Sequence, residues 1–192
     1  MKNFRKLHEG INPLPLLEAI TPDLWSEDSY LRHYPQGPFG EIESIMLRFP
    51  HKVVFEGPDA EERLALYKTN MLPGFDQHES IDYPAYAALP QARPLVMCTM
   101  ALVGGVRLGR CFINKINPGG RIFPHADTPV HADYYRRFHI VLQSAPGVDF
   151  RCADETAFMG TGELWWFDNR LEHEVNNHSD TARIHLVMDI KL

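Results

Sequence analysis

Histidine is the unusual residue of this chain, with ten among 192 residues and six of them after residue 120. His125-Ala126-Asp127 places an imidazole and a carboxylate two residues apart, and His173 follows 46 residues after Asp127, inside Glu172-His173-Glu174. Two imidazoles and one carboxylate on a β scaffold are the donor set of the facial triad that holds non-haem Fe(II). Three ligands on one face leave three positions open for a chelating cosubstrate and O2. Arg183 lies ten residues after His173. Its planar guanidinium suits a carboxylate, through two parallel hydrogen bonds. Such ligands with an inward arginine imply a cosubstrate that chelates iron at one end and carries a carboxylate at the other, and 2-oxoglutarate has that shape. Taken alone, H-x-D is a weak signal, because a lone His–Asp pair is more often a surface hydrogen bond.

These residues need elements to position them. From Arg110 onward short alternating segments are separated by Gly, Pro and Asp turns. They predict strands over Arg110–Ile116, Arg121–His125, Tyr134–Gln143, Val148–Cys152, Gly162–Phe167, Glu172–Asn176 and Ala182–Ile190. This pattern suits an all-β barrel or sandwich. Period-two geometry sets Phe138, Ile140 and Leu142 on one face of their strand, with Arg137 and His139 on the other. It does the same in the last strand, with Ile184, Leu186, Met188 and Ile190 opposite Arg183, His185 and Asp189. The cationic faces either look into a site or look out at solvent.

The part before residue 110 reads as helical and rich in loops, with edge strands, and packs outside the β core. Helices are expected over Leu14–Ile20, from Thr21-Pro22-Asp23-Leu24, over Asp59–Lys68 with Asp59 as N-cap, and as a buried helix over Ala92–Val103 stopped by Gly104-Gly105. Strands are expected over Glu41–Phe49 and Lys52–Phe55. The whole chain, 1–192, is expected to be one domain, with 1–109 as the N-terminal part and 110–192 as the catalytic core.

The stretch Asn114-Lys115-Ile116-Asn117-Pro118-Gly119-Gly120-Arg121-Ile122-Phe123-Pro124-His125 resembles the metal-binding entry of the aspartyl/asparaginyl β-hydroxylase family. So do Arg137-Phe138-His139, residues 151–156 from Arg151 to Thr156, and residues 167–175 from Phe167 to Val175. The resemblance covers about residues 94–190. It implies a double-stranded β-helix (a cupin-like jelly roll), Fe(II), 2-oxoglutarate and O2. The reaction it implies is hydroxylation of an amino-acid side chain, with release of succinate and CO2. Under it His125, Asp127 and His173 are the metal ligands, Arg183 holds the 2-oxoglutarate tail and Asn114 assists on the same carboxylate. Arg137 is the arginine at the front of the site, which meets the substrate or the cosubstrate, with few protein carboxylates expected near it. His139 shares its face, as a substrate-side residue or a core histidine. Animal protein-modifying members have glycine where this chain has Asp127, and they carry a long helical-repeat region that this sequence lacks. The chain therefore looks closer to small bacterial members, some of which hydroxylate free amino acids such as proline.

Other residues carry blander expectations. His131 reads as a loop histidine, and His8, His33, His51, His78 and His178 as surface groups. One of Trp165 and Trp166 must face inward. Arg121 and Tyr135 are candidate rim residues, and Glu172 and Glu174 should point away from the metal. Composition is that of an ordinary globular domain, 44% hydrophobic and 23% charged. A net charge of −6 argues against nucleic acid as the main partner. The longest apolar run, Leu95–Val103, is too short for a membrane helix, and no signal peptide follows the charged N-terminus. Cys98, Cys111 and Cys152 form no metal or disulfide pattern, so a cytoplasmic protein is expected. The partner is then an amino acid or peptide. The alternatives are a cupin-like metal enzyme that does not use 2-oxoglutarate and a non-catalytic jelly-roll binding module.

Overall fold

The computed structural model describes residues 1–25 and 37–192. Eleven strands and five α-helices are assigned among them: β1 (Phe4–His8), α1 (Leu14–Ala19), β2 (Ile42–Phe49), α2 (Ala60–Lys68), β3 (Ile81–Asp82), α3 (Pro84–Ala88), α4 (Ala92–Val103), β4 (Arg107–Ile116), β5 (Arg121–His125), α5 (Pro129–Tyr134), β6 (Arg136–Gln143), β7 (Val148–Cys152), β8 (Glu155–Ala157), β9 (Leu164–Phe167), β10 (His173–Asn177) and β11 (Arg183–Lys191). They form two antiparallel sheets, ordered β1-β9-β6-β11-β4-β2-β3 and β5-β10-β7-β8. The eight strands from Arg107 onward contribute four to each sheet, and the chain switches sheet at nearly every turn. This is a jelly roll, and its larger sheet is extended by the N-terminal strands.

Alternation along the strands creates two apolar layers. Phe138, Ile140 and Leu142 of β6 join Ile184, Leu186, Met188 and Ile190 of β11 in a core beneath the helices, with Leu16, Leu89 and Val96. A second core, including Ile116, Ile122, Val141, Phe150 and Val175, fills the space between the sheets. The opposite faces of β6 and β11 do not meet solvent. Arg137, His139, Arg183, His185 and Asp189 are all buried.

The N-terminal part departs most from the sequence reading. Lys52–Phe55 is irregular rather than a strand, because the edge of β2 beyond β4 is taken by β3. β1, β3 and β8 were not expected: all are short, and the five residues of β1 include three polar ones, so alternation is weak there. The helix expected from Thr21 is a 3-10 turn over Pro22–Trp25 within the described residues. Asp59 stands at the N-cap of α2 without a side-chain capping bond. α4 is amphipathic rather than buried, covering Ala92, Val96 and Thr99 while exposing Met97 and Leu102. Gly104 ends it in the left-handed region at φ 70°, where glycine costs little. The expected strand over Tyr134–Gln143 begins only at Arg136, since Pro129 opens the short helix α5 ahead of it.

Candidate active site

Pairing of β5 with β10 brings His173 directly opposite His125, with ring centroids 4.3 Å apart. Asp127 lies just past β5, its backbone N–H held by the Asn169 carbonyl at 3.0 Å. One ligand atom from each of His125, Asp127 and His173 lies within 4.8 Å of the others. Both histidines use the same local device. His125 Nδ1 contacts the Phe123 carbonyl at 2.8 Å, and His173 Nδ1 contacts the Leu171 carbonyl at 2.9 Å. A carbonyl can only accept, so Nδ1 carries the proton and Nε2 keeps its lone pair for a metal. Burial lowers the pKa of both rings, and that of His173 falls to about 4, although Asp127 works the other way. They are neutral at pH 7, as ligands must be.

The carboxylate is oriented as well. Asp127 Oδ2 accepts from Asn169 Nδ2 at 2.6 Å and pairs with Arg137 Nη1 at 2.5 Å. Oδ1 is left 4.0 Å from His125 Nε2. Burial pushes the Asp127 pKa up, but Arg137 and His173 outweigh it, so the net shift is downward. Two neutral imidazoles with fixed tautomers and one ionised carboxylate fit a divalent first-row metal of the Fe(II) type.

Beside the triad lies a cleft, lined in part by Phe39, Asn114, Phe150 and Arg183. Arg183 is 1% exposed. Its Nη2 donates to His185 Nδ1 at 2.9 Å, its Nε has no partner, and its guanidinium lies 5.7 Å from the Phe150 ring centroid. No carboxylate among the described residues pairs with it, and burial lowers its pKa to about 9. Asn114, opposite His185 in the β4–β11 ladder, accepts from Ser44 Oγ at 2.9 Å. His139 Nδ1 reaches His185 Nδ1 at 3.2 Å. A guanidinium only donates, so His185 Nδ1 is the acceptor in both contacts and His139 Nδ1 carries a proton.

Arg137 differs from expectation. Rather than lacking protein carboxylates, it makes a forked pair with Asp189 at 2.7 and 2.9 Å besides its contact with Asp127. His131 is no loop histidine but is buried in α5, with Nε2 2.7 Å from Asp189 Oδ2. Tyr135 is 1% exposed and not on the rim, its hydroxyl donating to the His78 carbonyl at 2.6 Å. His78 is half-buried and stacked on Tyr134. His8, His51 and His178 are exposed, and His33 lies outside the described residues. Arg121 is exposed against the Phe123 ring, Trp165 is the buried tryptophan, and Glu172 and Glu174 both turn to Arg151.

Sequence reasoning missed Phe39, edge-on to His125 at 5.0 Å, and Asn169. Neither has a spacing signal. Asp189 was on the correct face by alternation, but its partner on β6 was not legible.

A jelly roll with two histidines and one carboxylate beside a cleft defines a protein of the cupin-like metal-site class. The chain matches the family model described as Aspartyl/Asparaginyl beta-hydroxylase over residues 51–192, and it belongs to that family. It is 32% identical over 79 residues to an L-proline cis-4-hydroxylase of Rhizobium meliloti (strain 1021), a match covering 41% of this chain and 28% of the relative. It is 28% identical over 86 residues to the aspartyl/asparaginyl beta-hydroxylase of Mus musculus, covering 45% of this chain and 11% of that one. The chain thus spans under a third of the length of these curated relatives. A crystal structure from Burkholderia pseudomallei, described as an oxidoreductase of the 2OG-Fe(II) oxygenase family, shares the fold at a TM-score of 0.50 with 16% identity, covering 91% of this chain and 80% of that one. Among the described residues no helix is long and apolar enough to cross a membrane.

Proposed function

We propose that the protein is an Fe(II)/2-oxoglutarate-dependent dioxygenase that hydroxylates an amino-acid side chain, free or within a peptide, and releases succinate and CO2. The observation that carries this reading is Arg183, a cation withdrawn from water beside a His–Asp–His cluster, with no anion of its own among the described residues. A buried charge in that state calls for a partner, and a cosubstrate carboxylate supplies one. His125, Asp127 and His173 would hold the iron, which with 2-oxoglutarate and O2 supplies the oxidant for C–H hydroxylation. Arg183 binds the distal carboxylate, and Asn114 lies on the same wall to assist it. Phe39, Phe112, Phe150 and Val175 give the cleft an apolar lining. His139, on the cleft wall, donates to His185 and so supports the seat of Arg183. Arg137 holds Asp127 in place, and this positioning supports the metal ligand directly.

The similarity to a proline hydroxylase, together with the presence of Asp127, supports a small amino-acid substrate. Three free cysteines suit a reducing compartment, and we place the protein in the cytoplasm. The test is anaerobic titration of the Fe(II)-loaded protein with 2-oxoglutarate, followed by the visible metal-to-ligand charge-transfer band. The band should saturate in wild type and vanish in His173→Ala. A wild-type protein without the band would point instead to a metal enzyme that takes no oxoacid.

A further inference from the structure

The cleft contains a third arginine that the reading above does not use. Alternation along β4 places Arg110, Phe112 and Asn114 on the cleft wall, and all three line it. Arg110 is four residues from Asn114, roughly 13 Å along the strand at 3.3 Å per residue. It stands at the other end of the cleft from Arg183. The ladder there pairs Cys111 with Met188 and Leu108 with Ile190, so Gly109 and Arg110 together face the single residue Asp189. Asp189 in turn pairs with Arg137, which holds Asp127. Arg110 is therefore at the Asp127 end of the metal site, and Arg183 is at the far end. The extra residue is a β-bulge, a device that re-aims side chains next to active sites.

Arg110 also stands apart from Arg137 in its partners. Its Nε is buried without a hydrogen-bond partner, and its guanidinium lies 5.0 Å from the centroid of the Phe49 ring. Among the described residues no carboxylate forms an ion pair with it. Asp189, which faces it in the ladder, is taken by Arg137 and His131, and Asp127 is taken by Arg137. Among the described residues the cleft thus offers two guanidinium groups without a carboxylate partner, Arg183 fully buried and Arg110 partly so, at opposite ends of β4's cleft wall. One serves the cosubstrate.

We infer that Arg110 anchors a carboxylate of the prime substrate, so that the substrate is a small molecule with a free carboxylate, bound with its reacting carbon between Arg110 and the metal cluster. This rests on the proposed function and names the substrate class for the same site. A planar guanidinium stacked on an aromatic ring keeps its outer edge for a forked contact, which suits a carboxylate.

The experiment is calorimetric titration of the Mn(II)-loaded protein, which does not turn over. 2-Oxoglutarate is added first, then each of the twenty standard L-amino acids, then the carboxamide of any that binds. In wild type at least one amino acid should bind, and its carboxamide should bind roughly 30-fold or more weakly. Arg110→Gln should weaken the acid by a similar factor, leave the carboxamide unaffected and keep 2-oxoglutarate within about threefold, which also shows that the variant is folded. Arg110→Lys should recover part of the acid's affinity, because a point charge lacks the fork. The inference is overturned if no amino acid binds wild type, if acid and carboxamide bind alike, or if Arg110→Gln weakens both equally. Failure of 2-oxoglutarate itself to bind wild type would overturn the proposed function, and it is read separately in the first titration.

Discussion

Arg137 and Arg183 are withdrawn from water to 7% and 1% exposure, yet burial acts on them with opposite outcomes. For Arg137 burial lowers the pKa, but Asp127 and Asp189 outweigh it and the net shift is upward. For Arg183 burial acts alone, and the pKa falls to about 9. Replacing even a paired set of buried ions by apolar groups of similar volume is often neutral or stabilising by about 1–4 kcal/mol, and an unpaired buried ion has no ion-pair attraction to lose. Removing one member of a satisfied pair costs about 3–5 kcal/mol. Arg183→Met should therefore raise the stability of the metal-free protein, at roughly 2–4 °C of Tm per kcal/mol for a chain of this size, while abolishing stabilisation by 2-oxoglutarate. Arg137→Met should lower stability, since it strands Asp127 and Asp189. Urea unfolding of the two variants beside wild type measures both signs. A loss of stability in Arg183→Met would mean that its cation is compensated after all.

At the scale of elements, the site is built by strand pairing, and the turn between β10 and β11 decides where Arg183 begins its strand. Asn177 is 1% exposed and closes that turn. Its Nδ2 donates to the carbonyls of Ile116 at 3.0 Å and Thr181 at 2.9 Å, while its Oδ1 accepts from Ser179 N–H and Oγ–H at 3.1 and 2.7 Å. Asn177→Ala leaves buried carbonyls unpaired, at about 1–3 kcal/mol for such a group. Asn177→Asp should be no better, because a carboxylate cannot donate to those carbonyls. Equal urea midpoints for wild type and Asn177→Ala would show the turn to be held elsewhere. The strands that carry chemistry were legible because each sets apolar residues on one face and polar ones on the other, so alternation in β6 and β11 reported the fold directly although both faces are buried. Tertiary pairing was not legible. Arg137 and Asp189 are 52 residues apart and meet only because β6 pairs β11 in that register. The same gap hid the burial of His131, whose partner is Asp189, and made Lys52–Phe55 look like a strand that has nothing to pair with.

For the whole molecule, the jelly roll places a set of ionisable groups between its sheets, and the fold must keep most of them uncharged or paired. His131, His139 and His185 lie outside the metal cluster and are all buried. Burial is the main cause that lowers each pKa, helped by Arg110 at His131, Arg183 and Arg137 at His139, and Arg183 at His185; Asp189 opposes the shift at His131 and His139. In the unfolded chain such rings titrate near 6.5. The unfolded state therefore binds protons below that pH that the folded state refuses, and stability falls as the pH drops. These three rings contribute full stability above about pH 7, and it is lost on acidification through the range down to their lowered folded values. A fully suppressed ring accounts for roughly 2 kcal/mol between pH 7 and 5, so the three together reach at most about 6 kcal/mol. Asp127 and Asp189, with lowered pKa values, add their loss only further down, below about pH 4, where unfolded carboxylates take up protons. The acid sensitivity of the metal-free protein should therefore begin in the histidine range and not wait for the carboxylates. Urea unfolding at pH 7, 6 and 5 gives the number of protons taken up from the slope of stability against pH. A value of two or more between pH 6 and 5 is expected, and a stability constant across that interval would mean that these rings are not held neutral by the fold.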